Sequence, residues 1–175
     1  MSEGAAPSPG PAAILTAASA GPSLRPYGHL VTFPAGATPL VDTAACRFWP
    51  ALAPVDVGPD GAEVGWCRVV RRPALVTRLE RHRRSAELMA PIDGDMVVPV
   101  AAPSGAHDPP SGAVGILVRV GEALVVHRSV WHWAAFPVRE ASAYWVLFRQ
   151  GTSSQDVETR DLDQPVRLAD LPPDP

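Results

Sequence analysis

The sequence predicts an all-β fold in a single domain, and three observations carry that prediction. Its 175 residues are the length of one domain and suffice for one sizeable core. Glycine (14), proline (21) and aspartate interrupt it so often that no long apolar pattern of helical period survives. Between the breaks lie short β-rich runs, and many short strands separated by turn signals indicate a sandwich or barrel.

Taken in order, residues 1–23 are rich in Ala, Pro, Gly and Ser and are expected to form a flexible tail. The domain is expected over 24–168, with 169–175 as a second flexible tail. Strand-like runs within it are "HLVTF", "CRFWPAL", "VGWCRVV", "ALVTRLERH", "DMVVPVAAP", "AVGILVRV", "EALVVH", "HWAAFPV" and "AYWVLFRQG". Asp93-Gly94 suits a tight hairpin reversal, and 103–112, containing His107, reads as a surface loop.

Composition excludes several functions. The net charge of −3 gives a nucleic-acid role no electrostatic support. All 15 basic residues are arginine, so lysine Schiff-base and lysine-nucleophile chemistry is absent. Cys46 and Cys67 form no CxxC pair and read as reduced thiols. The N-terminal stretch lacks a charged region followed by a long apolar one, and no run of about 18 apolar residues could span a membrane. A cytoplasmic protein acting on a small molecule is expected.

The polar residues fall into two spaced blocks. The first is Glu80-x-His82-x4-Glu87-x6-Gly94, in which Glu80 and His82 share a strand face. The second is Gly121-x5-His127-x-Ser129-x2-His132. His127 and His132 have opposite parity, so His132 is expected inside the barrel and His127 at its rim or in a structural role. Glu80, His82, Glu87 and His132 together offer two imidazoles and two carboxylates, a set suited to Mn, Fe, Ni or Zn. The competing reading is a metal-free pocket in which Glu80 and Glu87 pair with nearby arginines. No organic cofactor is expected.

These blocks resemble the two motifs of the cupin superfamily of double-stranded β-helices. Glu80, His82, Glu87 and Gly94 stand at the first motif's ligand and glycine places, with Ala74 at its opening glycine. Gly121 and His132 match the second motif, where His127 and Ser129 replace a proline and a glycine. A narrower resemblance covers about residues 25–160. "RPYGHLV", "CRF", "LERHRRSAELMAPIDGDMVVPVAAP", "HRSVWHW" and "FRQGTSSQDVE" look like the ureidoglycolate lyase family. That resemblance implies a homodimeric cupin of purine degradation that splits ureidoglycolate into glyoxylate and urea. This chain departs from the family pattern at Trp133, where a second histidine is usual, at 123–126, at Phe148, and at Glu87, where close members often carry glutamine.

If the family activity is retained, the site needs a base, an acid and a cation. His82 or His132 could act as base and Glu80 or Glu87 as acid. Arg128 or Arg149 could clamp the substrate carboxylate. Trp133, Trp145 and Phe148 could form an aromatic wall, which favours the alternative of a bulkier, less polar substrate handled by an isomerase, cyclase, dehydratase or metal-dependent oxygenase. A non-catalytic cupin binding a small ligand is the third reading.

Overall fold

The computed structural model describes residues 10–16, 23–105, 108–169 and 171. Its framework is two facing β-sheets. One sheet runs in the order β1 (Ile14–Leu15), β9 (Val114–Val118), β8 (Met96–Ala101), β11 (Trp131–His132), β6 (Leu75–Arg81), β14 (Glu158–Arg167), with β12 (Phe136–Pro137) also on β8. The other runs β2 (Gly28–Val31), β10 (Ala123–Val126), β7 (Glu87–Pro91), β13 (Ala141–Arg149), β5 (Ala62–Val70). A separate hairpin joins β3 (Val41–Asp42) to β4 (Arg47–Phe48), and a short helix, α1, covers Thr152–Gln155. Chain order repeatedly switches sheets, from β6 to β7 to β8 and from β9 to β10 to β11. This is the double-stranded β-helix of a cupin, as the motifs implied.

Two apolar layers hold it together. Met96, Val98 and Val100 of β8 point between the sheets, where they meet Met89, Leu124 and Tyr144. The alternate residues Val97 and Ala101 point to the other side, against Leu79, Trp131, Phe136 and Leu162. A strand buried on both faces reads as a continuous apolar run, which explains "MVVPVA".

Three sequence expectations are revised here. The Asp93-Gly94 turn is not a hairpin, because β7 and β8 belong to different sheets. It is a sheet-to-sheet crossover, fastened by the Ala143 N–H donating to Asp93 and the Ser142 hydroxyl donating to the Gly94 carbonyl. The stretch placed in the N-terminal tail also contributes structure. Ile14 and Leu15 pair with Gly115 and Ile116, and Ala12 bridges Leu168. Ile14 and Leu15 each pack against an apolar layer, which is the force that docks them. Gly115 makes room, since a Cβ there would stand 2.7 Å from Val97 and 3.1 Å from Ile14. At the other end, Ala169 donates to the Ala12 carbonyl, so the sheet continues one residue past 168. Residues 1–9, 17–22, 172–175 and His107, all assigned to tails or loops, lie outside the described residues.

Candidate active site

The site is set by register. On β6, successive side chains alternate: Leu79 and Arg81 enter the apolar layer around Trp131, while Glu80 and His82 turn toward the space between the sheets. β11 lies beside β6 with His132 directly opposite Glu80. That pairing brings their Cβ atoms to about 4.5–5.5 Å. Glu87 enters from the facing sheet as the first residue of β7.

Both imidazoles are held from behind. His82 Nδ1 lies 2.7 Å from the Asp156 carbonyl and His132 Nδ1 lies 3.0 Å from the Val130 carbonyl. A carbonyl only accepts, so each Nδ1 carries the proton and donates. Each Nε2 therefore faces the cavity, and both converge on one carboxylate oxygen. Glu87 Oε2 stands 2.9 Å from His82 Nε2 and 3.2 Å from His132 Nε2. One oxygen of Glu80 and one nitrogen of each of His82 and His132 also lie within 4.8 Å of one another. The turn that presents His132 strains Ser129, the residue at the motif's glycine place, into a left-handed conformation at φ 64. Its N–H donates to the His82 carbonyl at 2.7 Å, tying the two histidine segments together.

The electrostatics follow from burial opposed by pairing. Burial drives the Glu87 carboxyl up, but His132 and His82 outweigh it and hold it at about 2. Burial drives His132 down, but Glu87 and then the Val130 carbonyl and Glu80 lift it to about 9. Glu80 is raised, first by burial and then by the nearby Glu87 charge. The residues fit a divalent ion. Two imidazoles fixed through Nδ1 to main-chain carbonyls are oriented as metal-ligating histidines are. His82 and His132 would hold such an ion through Nε2, with carboxylate oxygens of Glu87 and Glu80 close enough to join them.

The cavity in front of these groups has a volume of about 360 Å3. One wall is polar, made by Glu80, His82, Glu87 and His132; the other is Met89, Trp133, Tyr144, Val146 and Phe148, with Cys67 beside it. Phe148 stacks obliquely on His82, their ring centres 6.3 Å apart. Of the residues expected to bind substrate, Trp133 and Phe148 line this cavity and three others do not. Trp145 is half exposed on the outer face of β13, because parity forbids neighbouring strand residues from sharing a face with Phe148. Arg149 is excluded in the same way. It is buried on the outer side, bonded to Asp60 at 3.2 Å, with Nε and Nη2 lacking partners. Arg128 leaves the turn in the other direction to pair with Asp56 at 2.6 Å. Both arginines tether the 56–60 loop rather than the cavity. Tyr144 and Cys67 were not anticipated. Tyr144 was legible from Phe148, two strand periods away, whereas Cys67 carried no signal. Burial, and then Cys67, raises the Tyr144 hydroxyl.

A family model described as ureidoglycolate lyase matches residues 14–169. The chain belongs to the ureidoglycolate lyase family. Two ureidoglycolate lyases of Pseudomonas fluorescens, strains Pf-5 and SBW25, are 31% and 32% identical to it over 83 residues. Each match covers 47% of this chain and 49% of the relative, so the chain spans about half the length of the curated relatives it matches. Among solved structures, an oxalate decarboxylase mutant of Bacillus subtilis aligns at TM-score 0.37 and 18% identity, covering 57% of this chain and 24% of that one. A dTDP sugar isomerase from Desulfovibrio desulfuricans G20 aligns at TM-score 0.38 and 14% identity, covering 82% and 83%. Within the family frame, the resemblance read from "ERH" and "VWHW" falls on the two segments that form the polar wall of the cavity.

Proposed function

We propose that this member of the ureidoglycolate lyase family cleaves ureidoglycolate to glyoxylate and urea. In this reading His82, Glu87 and His132 hold a divalent ion, and Glu80 moves the proton. The observation that carries the proposal is the convergence of both Nε2 atoms on Glu87 Oε2 at 2.9 and 3.2 Å, with Glu80 beside them. When bound there, Mn, Fe, Ni or Zn would supply Lewis acidity and a seat for a carboxylate. That seat matters because no arginine lines the cavity among the described residues. The proposed ion replaces the arginine clamp expected from sequence.

The chemistry asks little more of the chain. Ureidoglycolate carries a hydroxyl and a ureido nitrogen on the same carbon. Loss of the hydroxyl proton lets its electron pair form the carbonyl of glyoxylate while the C–N bond breaks, and the leaving urea nitrogen takes a proton. Glu80 suits both transfers, since it stands beside both imidazoles and burial raises its carboxyl above the ordinary value. Glu87, held at about 2, does not suit the acid role. The histidines meet the ion through Nε2 and are spared the base role. Glu80→Gln should lower turnover about 10²–10⁴-fold, measured by glyoxylate and urea release, while the metal content stays unchanged. An unaltered rate would remove Glu80 from the mechanism, and no release by the wild type would remove the substrate.

The apolar wall of Trp133, Tyr144, Val146 and Phe148 supports a second reading, the same site acting on a bulkier substrate. Wild-type turnover of alkyl-extended analogues exceeding that of ureidoglycolate would favour it. We also infer a cytoplasmic homodimer. No helix among the described residues is long and apolar enough to cross a membrane. Trp66 and Trp145 are cross-strand partners on the outer face, 56% and 50% exposed, with Val64 nearby at 64%. Trp145→Glu should convert a sedimenting dimer to a monomer; an unchanged sedimentation coefficient would place the interface elsewhere.

A further inference from the structure

At the far end of β6 from Glu80 lies a second cavity, of about 560 Å3. Its lining includes Arg71, Arg72 and Arg167, with Leu168 and Leu171 as apolar floor and no acidic side chain among the described residues. Five strand positions separate Arg167's partner Leu75 from Glu80, a span of about 17 Å. The arginines here differ from most others in the molecule. Most of the chain's arginines are ion-paired, for example Arg78 to Asp161, Arg81 to Glu158 and Arg128 to Asp56. Among the described residues, Arg71, Arg72 and Arg167 have no such pairing.

Two of the three are nevertheless fixed. Arg72 donates to the Ala135 and Ala134 carbonyls at 2.9 and 2.8 Å and lies 4.2 Å over the Phe136 ring. Arg71 donates to the Val138 carbonyl. Carbonyl dipoles orient a guanidinium without cancelling its charge. With five N–H donors each, both arginines keep donors to spare. Burial acts to lower Arg72, the sign of a desolvated cation without a counter-ion. In a chain of net charge −3, three cations around one concavity, with no carboxylate paired to them among the described residues, form a local site of opposite sign.

We propose that this cavity binds a small oxyanion carrying two negative charges, a phosphate or a dicarboxylate, between Arg71, Arg72 and Arg167. Guanidinium forks match the paired oxygens of either group. The proposal does not depend on the lyase reading, since the two cavities share no lining residue.

The test titrates inorganic phosphate and, separately, succinate into the full chain by calorimetry, in chloride buffer at constant ionic strength. At least one of them should bind saturably at millimolar concentration or below, and the tighter of the two identifies the class. Arg167→Gln should weaken that binding about tenfold or more, the loss of one charged hydrogen-bonding partner. Arg71→Gln is the second variant and should act likewise. Both side chains are exposed, so their melting temperatures in chloride should stay near wild type. Failure of both anions to saturate, or affinities unchanged in both variants, would overturn the proposal.

Discussion

Two histidine pairs in this molecule have almost the same geometry and opposite chemistry. His82 and His132 meet edge to face with ring centres 5.0 Å apart, and His29 and His127 do so at 4.7 Å. In the first pair a buried carboxylate, Glu87, stands between the Nε2 atoms and lifts His132 to about 9. In the second pair burial, and then the charge of His29, lowers His127. Imidazole spacing alone therefore does not make a site. What distinguishes the first pair is the acid between the rings, the carbonyls behind them and the cavity in front. The second pair sits where β2 meets β10, away from that cavity.

The comparison can be broken most sharply at Glu87. In metal-free protein Glu87→Gln keeps the shape but removes the charge, leaving the His132 cation buried without its partner. Such a loss costs on the order of 3–5 kcal/mol. The metal-free variant should melt well below metal-free wild type, and it should hold less of the proposed divalent ion. A melting temperature within a degree of wild type would show that the carboxylate is not what organises the pair.

Next in size is an exchange of alanines between the pairs. His132→Ala should lower turnover of ureidoglycolate about 10²-fold or more, while His127→Ala leaves it within about twofold. Equal losses would erase the distinction.

A third test is the pH dependence of stability in metal-free protein. Glu87 is held below its ordinary 4.5, so its contribution is present above 4.5 and fades as pH falls toward about 2. His132 is held above its ordinary 6.5, so its contribution is complete below 6.5 and fades as pH rises through about 9. Melting temperature should therefore plateau between those ordinary values and decline on both sides. A curve that keeps climbing from pH 7 to 9 would deny the ion pair.

The smallest effect is expected at the surface pair. In His29→Ala, the His127 resonance should titrate at higher pH than in wild type, because a neighbouring positive charge is gone. No movement would mean that burial alone sets it.

Much of this site was legible in the sequence. Strand parity put Glu80 and His82 on one face, and the same rule turned His132 inward and His127 aside. The polar wall needed only those spacings and the barrel. The errors share a cause, parity not carried through. Once Phe148 faces the cavity, Trp145 and Arg149 cannot, yet all three were expected there. β14 was not anticipated because "ETRDLDQPVR" is polar and mostly exposed at a sheet edge, where no apolar alternation records the pairing. β7 was legible only at Glu87, expected to enter from the strand after the polar turn; its five residues lie between that Arg-rich turn and a crossover and are too few to show an alternation of their own. Ile14 and Leu15 were concealed by the Ala- and Pro-rich composition around them, though their burial decides their place. Distances between strands are written in no local pattern, which is why Cys67 emerged only from the fold.

Whether His82, Glu87 and His132 form one divalent-ion centre is decided by elemental analysis of protein purified without chelator or nickel resin, wild type beside Glu87→Gln. About one transition-metal ion per wild-type chain and almost none in the variant are expected. Wild-type protein that turns over ureidoglycolate at full rate with only trace metal would contradict such a centre.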